Sequence, residues 1–227
     1  MIIAGLQKVS LVDYDGCVAT TIFTAGCNFR CPFCHNAVVV LGKTDFYTEG
    51  EVMSHIRARI GLIDAVVISG GEPTIQPDLV EFIEKIKKLG LKVKLDTNGT
   101  HPEVLKTLLD KNLIDYVAMD IKNGLSNYNE ISGRVVDTTK IQESINLLKT
   151  SNIDYEFRTT LVEGYHTEKD IHEIGKLIAG TKKYFLQKFV DSGECISGNL
   201  QPINKETAKS FVEILKGYNI NAILRGY

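Results

Sequence analysis

The order of hydrophobic runs along these 227 residues predicts an α/β protein with a parallel sheet. Three observations carry that reading. Six short β-branched runs are each followed by a stretch with helical periodicity. Polar, glycine-rich segments follow the first four of those runs, where parallel α/β proteins keep their chemistry. The composition, 44% hydrophobic and 24% charged with 19 Gly and 5 Pro, is that of an ordinary globular chain able to bury a core.

Residues 18–23 (VATTIF) form the first predicted strand and lead into CNFRCPFCHN. A helical pattern over 50–60 precedes the second strand, 65–69, which ends in GGEPT. The helix over 79–89 has the clearest pattern, with Leu79, Phe82, Ile83, Ile86 and Leu89 on one stripe and Gly90 as its C-terminal cap. The third strand, 92–95, runs into DTNG and a helix over 103–110; the fourth, 116–119, runs into DIKN and a helix over 140–149. Strands over 155–160 and 184–189 follow, each with its helix, over 168–178 and 206–215. Six such units build either an open doubly wound sheet or a partial barrel, and periodicity does not choose between them. No repeat, low-complexity tract or Pro/Ser-rich linker marks a boundary, so residues 1–227 are expected to form a single domain.

Net charge is −2, with 26 Lys plus Arg against 28 Asp plus Glu, which offers no electrostatic case for nucleic acid or an anionic membrane as partner. The longest apolar runs, such as 37–41, fall far short of the roughly 20 residues that span a bilayer. The opening MIIAGLQKVSLVDYDG lacks the basic and apolar regions of a signal peptide, so a cytoplasmic location is expected. Five cysteines is an odd number, and three of them fall within eight residues, a pattern for metal rather than disulfides.

Those three, Cys27, Cys31 and Cys34, form CxxxCxxC directly after the first strand. Three thiolates on a short loop suit one face of a 4Fe-4S cube and leave the fourth iron open to a substrate or cofactor. Zinc or structural thiols are the alternatives, but a closed zinc site wants four ligands, and Asn28, Arg30 and Pro32 are poor core neighbours. Cys17 and Cys195 are isolated and read as structural. Gly70 and Gly71 would let backbone approach a ligand, and Glu72 would accept from an ammonium; a strand-ending turn is the plainer alternative. Asp96 and Asp120 both end strands on the same rim, where two carboxylates need a cation or a proton, although an Asx-turn at Asp96 and an Asp120–Lys122 pair would also account for them. Arg158 faces either the interior or solvent. Phe33 offers a face for adenine or packs its own loop.

The stretch TAGCNFRCPFCHN resembles the signature of the radical S-adenosylmethionine superfamily, and within it the glycyl-radical-enzyme activases, whose loops commonly read GCNxRCxxCHN. SGGEP at 69–73, DTNG at 96–99 and MDIK at 119–122 follow in order, and the opening AGLQKVSLVDYDG and closing LRGY are similar to activating proteins of anaerobic ribonucleoside-triphosphate reductase. The resemblance implies a partial (βα)6 barrel, one 4Fe-4S cluster on the three cysteines, and S-adenosylmethionine bound near Phe33, Gly70, Gly71, Glu72, Asp96, Lys122 and Arg158. It implies reductive cleavage of that cofactor, with hydrogen abstraction from a glycine of a partner glycyl-radical enzyme and no catalytic side chain beyond cluster and cofactor. A flavodoxin or ferredoxin would be the reductant. In pyruvate formate-lyase activating enzymes the positions matching Asp96 and Asp120 help hold sodium or potassium beside the cofactor carboxylate; Thr97 and the Ala118 carbonyl would complete that set here. A family histidine on the sixth strand is replaced by Gln187, Lys188 and Phe189. Two rival readings share part of this evidence: a radical enzyme acting on a small molecule or peptide side chain, and a non-enzymatic iron-sulfur electron carrier.

Overall fold

The structure is a computed structural model that describes every residue except Lys43, Ser192 and Glu194. Eight strands form one sheet in sequence order: β1 (Ile3–Ser10), β2 (Ala19–Thr24), β3 (Ala65–Gly70), β4 (Lys92–Thr97), β5 (Tyr116–Asp120), β6 (Asp154–Leu161), β7 (Tyr184–Lys188) and β8 (Ala222–Arg225). β1 pairs antiparallel with β2; every later pair is parallel. The helices are α1 (Ala37–Val40), α2 (Glu49–Arg57), α3 (Leu79–Lys87), α4 (Pro102–Asp110), α5 (Tyr128–Ser132), α6 (Thr138–Thr150), α7 (Glu168–Leu177) and α8 (Lys205–Lys216).

All six expected strands and all six expected helices are present. Both outer strands, β1 and β8, are additions. β1 carries Gly5, Gln7 and Lys8, is exposed at its centre and changes register twice, so its sequence lacks the alternation of a half-buried strand. β8 is only four residues long. Each forms because a neighbour offers a ready edge for hydrogen bonding.

Side chains alternate across the sheet. The outward set, including Val66, Ile68, Val93, Leu95, Val117, Met119 and Phe157, is buried against the helix stripes, among them Phe82, Ile83 and Ile86 of α3. Each fully buried aliphatic or aromatic side chain contributes about 1.5–3 kcal/mol. The inward set differs. Ala19, Ala65, Val67, Tyr116 and Ala118 close the lower interior together with Tyr14, which reaches in from the β1–β2 connection and lies 5.4 Å from the Tyr116 ring. Above that plug, inward positions of β2 to β7 line one cavity, so the sheet is curled into a partial barrel. Among the described residues, no helix is long and apolar enough to cross a membrane.

Candidate active site

The cysteine loop joins β2 to α1 and is held from three directions. Arg30 N–H donates to the Ser132 carbonyl at 2.7 Å, Ser197 N–H donates to the Pro32 carbonyl at 2.9 Å, and the Arg30 guanidinium folds back onto the carbonyls of Cys27 and Phe29, both at 2.6 Å. Gly133 must be glycine, because its φ is +63° and a Cβ would stand 2.4 Å from the Arg30 carbonyl oxygen. Cys27, Cys31 and Cys34 all line the cavity. Burial pushes the Cys27 thiol up to about 12 and Cys31 in the same direction, so the free loop carries thiols whose protons iron must replace. Among the described residues no three His, Cys, Asp or Glu side chains converge as one ion would require. Three spaced thiols facing one cavity suit a multi-iron cluster, in which each thiolate takes its own iron. The donor set therefore fits the cluster that the loop spacing predicts.

The GGE turn closes the end of β3 against that loop. A Cβ on Gly71 would sit 1.7 Å from the Gly26 carbonyl oxygen, and one on Gly70 (φ +114°) 2.3 Å from the Thr24 nitrogen. The glycines are thus needed for close approach of the chain's own backbone, where the sequence reading had a ligand. Glu72 is also differently employed from expectation. It is 1% exposed, and its carboxylate accepts from Thr74 N–H (3.1 Å), Thr74 Oγ1 (2.5 Å), Thr97 Oγ1 (2.7 Å) and Asn98 N–H (2.6 Å). Burial raises its pKa even against those four donors. An oxygen pair so occupied clamps the GGE turn to the DTNG turn; it is not a vacant acceptor for an ammonium.

The next three strands bring charge to the rim. Arg158 lies on the inner face of β6, so of its two expected orientations the interior one is observed: Nε stands 2.9 Å from Asp120 Oδ1 and a terminal nitrogen 3.4 Å from Asp96 Oδ2. Lys122 Nζ reaches Asp120 Oδ2 at 3.0 Å, and Ser69 Oγ donates to Asp96 Oδ2 at 3.1 Å. Burial alone would raise the Asp120 pKa, but Arg158 first and then Lys122 hold it well below the ordinary carboxylate range. Burial is the largest single influence on Lys122 and Arg158 and works to lower both, but Asp120 together with Cys31 and Cys34 at Lys122, and with Asp96 and Glu156 at Arg158, raises them, so both stay firmly charged.

The set expected to hold sodium or potassium is not assembled. The Thr97 hydroxyl donates to Glu72 and accepts from Gly99 N–H at 3.1 Å. Ala118 lies mid-ladder between Asp96 and Glu156, where the carbonyls of a central strand point into the sheet. Guanidinium and ammonium groups already face both aspartates.

Phe33 is buried and set edge-on to Tyr165 and His166, with centroids 6.5 and 6.4 Å away, while still lining the cavity. On β7 and just beyond it, Gln187 and Lys188 line the cavity and Phe189 turns into the outer core. Several participants escaped the sequence reading. Asn98 Nδ2 donates to Asn28 Oδ1 (2.8 Å) and Asn28 Nδ2 to Thr100 Oγ1 (2.7 Å), tying the DTNG turn to the cysteine loop. Both asparagines lie inside recognised motifs, which was the available signal. His166 sits beside no motif, yet it accepts from Val162 N–H at 3.1 Å through Nδ1, which leaves Nε2 to donate to the Lys122 carbonyl at 2.9 Å.

The cavity, about 470 Å³, is within the usual range for small-molecule and cofactor sites. Comparison with known proteins agrees with this geometry. Residues 21–178 match the model of the radical SAM superfamily. A protein of Methanocaldococcus jannaschii with the provisional name glycyl-radical enzyme activating enzyme is 39% identical over 194 residues, covering 83% of this chain and 80% of that one. The pyruvate formate-lyase-activating enzyme of Clostridium pasteurianum is 30% identical over about half of each chain (53% and 52%). Among solved structures, Streptococcus suis SuiB bound to S-adenosylmethionine matches with a TM-score of 0.69 at 14% identity, covering 89% of this chain and 49% of that one. A domain of the Bacteroides vulgatus pyruvate-formate lyase-activating enzyme matches with a TM-score of 0.58 at 20% identity, covering 71% and 99%. The fold is shared with these structures, and the family implies a 4Fe-4S cluster and S-adenosylmethionine. With its cysteine loop, its clamped turns and this match across most of its length, the chain belongs to the radical SAM superfamily, and it is an enzyme of that superfamily.

Proposed function

We propose that this enzyme generates a glycyl radical on a partner enzyme, using an electron delivered by a flavodoxin or ferredoxin. The observation that carries the proposal is the 39% identity with the M. jannaschii protein, which extends over four-fifths of that chain and therefore beyond the cofactor motifs. When bound, the cluster and S-adenosylmethionine supply the one-electron chemistry that removes a hydrogen atom from a glycine Cα.

The residues of the chain do the rest. Cys27, Cys31 and Cys34 would hold the cluster, and Glu72 and Asn98 fix the turns that wall it in. Lys122 and Arg158 present their cations to the methionine carboxylate of the cofactor; Asp96 and Asp120 aim those cations. Phe33, packed against Tyr165 and His166, borders the adenine region. The surrounding walls keep water away from a radical, and no side chain is required as a general base. A barrel that is not closed leaves the cavity accessible from the side, which suits an extended peptide segment.

The test is anaerobic incubation of reduced enzyme and S-adenosylmethionine with the glycyl-radical enzymes of the source organism, beginning with anaerobic ribonucleoside-triphosphate reductase. The expected result is 5′-deoxyadenosine together with an electron paramagnetic resonance doublet from glycine. Cleavage of the cofactor with every candidate partner left radical-free would replace this reading with one of a small-molecule or side-chain substrate.

A further inference from the structure

Lys94 is a lysine in the middle of a buried strand, which the fold does not require. It lies on the inner face of β4, in register with Val67 of β3 and Tyr116 of β5, and is 6% exposed. A buried ammonium persists only where partners hold it. Here Nζ donates to the Asp13 carbonyl and lies 5.6 Å from the centroid of the Tyr116 ring, with its remaining direction toward Asp96 Oδ1 at 3.7 Å. That oxygen is buried and has no hydrogen-bond partner, so the charge of Lys94 is its nearest compensation.

We propose that Lys94 takes the place of a monovalent cation in this enzyme, so that cofactor binding does not depend on sodium or potassium. This rests on the reading that the methionine carboxylate of S-adenosylmethionine meets Lys122 and Arg158. Charge balance carries the argument. Asp96 and Asp120 face Arg158, Lys122 and Lys94, two negative charges against three positive ones. Counted for these five side chains and the cofactor carboxylate alone, without the cofactor's ammonium and sulfonium, the charges are three against three. A sodium or potassium ion on Asp96 Oδ1 would add a surplus positive charge beside the Lys94 ammonium, with like charges repelling in a site of low dielectric. The ion's other expected ligands are elsewhere engaged, since the Thr97 hydroxyl serves Glu72 and the Ala118 carbonyl points into the ladder.

The experiment is calorimetric titration of S-adenosylmethionine into cluster-loaded enzyme in sodium, potassium or choline chloride at one ionic strength. For the wild type, Kd is expected to stay within about twofold across the three salts. Lys94→Met should bind about tenfold more weakly in all three salts, because the Thr97 hydroxyl and the Ala118 carbonyl stay engaged and offer an ion no ligands, while Lys94→Arg should behave as the wild type. Iron content and unfolding midpoint establish that each variant is intact. A wild type that binds about tenfold more tightly on adding sodium or potassium overturns the inference without any variant, as does a Lys94→Met enzyme whose affinity equals the wild type in every salt. An enzyme that binds the cofactor regardless of salt yet raises no glycyl radical supports the role of Lys94 and refutes only the proposed partner.

Discussion

The two faces of the same strands obey different rules. On β4, Val93 and Leu95 point outward and are fully buried under helices, while Lys94 and Asp96 point inward and carry charge. β5 and β6 repeat the contrast with Val117 and Met119 against Asp120, and Phe157 against Glu156 and Arg158. The outer face is a helix-on-sheet core, in which shape and apolar area decide stability. The inner face holds charges because each has a partner: Arg158 with two aspartates, Lys94 with Asp96 and the Asp13 carbonyl, and Glu156 with the Tyr116 hydroxyl at 2.9 Å and Arg225 at 3.3 Å. Substitutions on the outer face should therefore change stability alone, and those on the inner face should change binding as well.

The largest effect tests the inner region at its mouth. Cys31→Ala is expected to abolish cluster assembly, read as loss of iron after anaerobic reconstitution, while Cys17→Ala, whose thiol lies by the lower plug, keeps full iron. Equal iron in both variants would remove the loop from the site.

On the outer face, Phe82→Ala should cost about 3–5 kcal/mol in denaturant unfolding, as a fully buried aromatic truncated in a packed core does. Its folded fraction should bind S-adenosylmethionine with unaltered affinity. A changed affinity would mean that the two faces are coupled.

Glu72→Gln sits between the regions. Its amide would turn an N–H toward one of the four donors that now point at the carboxylate, at a cost of about 1–3 kcal/mol. Because the clamp shapes the cavity wall, cofactor affinity should fall with stability. Loss of affinity at unchanged stability would instead restore Glu72 as a direct ligand of the cofactor.

The smallest effect is a pH slope. Burial lowers the pKa of His166, so the folded state holds this ring neutral where the unfolded chain would protonate it. The contribution to stability is full above the ordinary histidine value of roughly 6.5 and is lost as pH falls through the interval between that value and the depressed folded one. The slope is at most about 1.4 kcal/mol per pH unit. His166→Gln should flatten the unfolding midpoint between pH 7.5 and 5.5 by that amount, and an unchanged slope would show that other groups set it.

The outer face was the legible one. The stripe of α3 and the runs 65–69, 116–119 and 155–160 are local periodicities, and each became the element expected. The motifs placed their residues on one rim because every parallel strand ends on the same side. What those residues do there was less legible. Gly71 and Glu72 read as ligand contacts from their chemistry, whereas the approach of Gly26 and the donors of Thr97 and Asn98 engage them otherwise. Lys94 is not legible at all, since a lysine two residues before an aspartate looks like a solvated strand position until the sheet is curled.

By itself, then, the sequence determined six of the eight strands, the helix faces and the three thiols on one short loop, all of which depend on residues within a few positions of each other. Only the tertiary structure decided which charges meet: Arg158 with Asp96, 62 residues apart, His166 with the Lys122 carbonyl, 44 apart, and Lys94 beneath Asp96 with the Asp13 carbonyl, 81 residues away, at its other side. The reason is geometric. Spacing along a strand sets the face on which a side chain lies, but its partner across the barrel is set by the register of several ladders and the curl that closes them, and no local pattern encodes either.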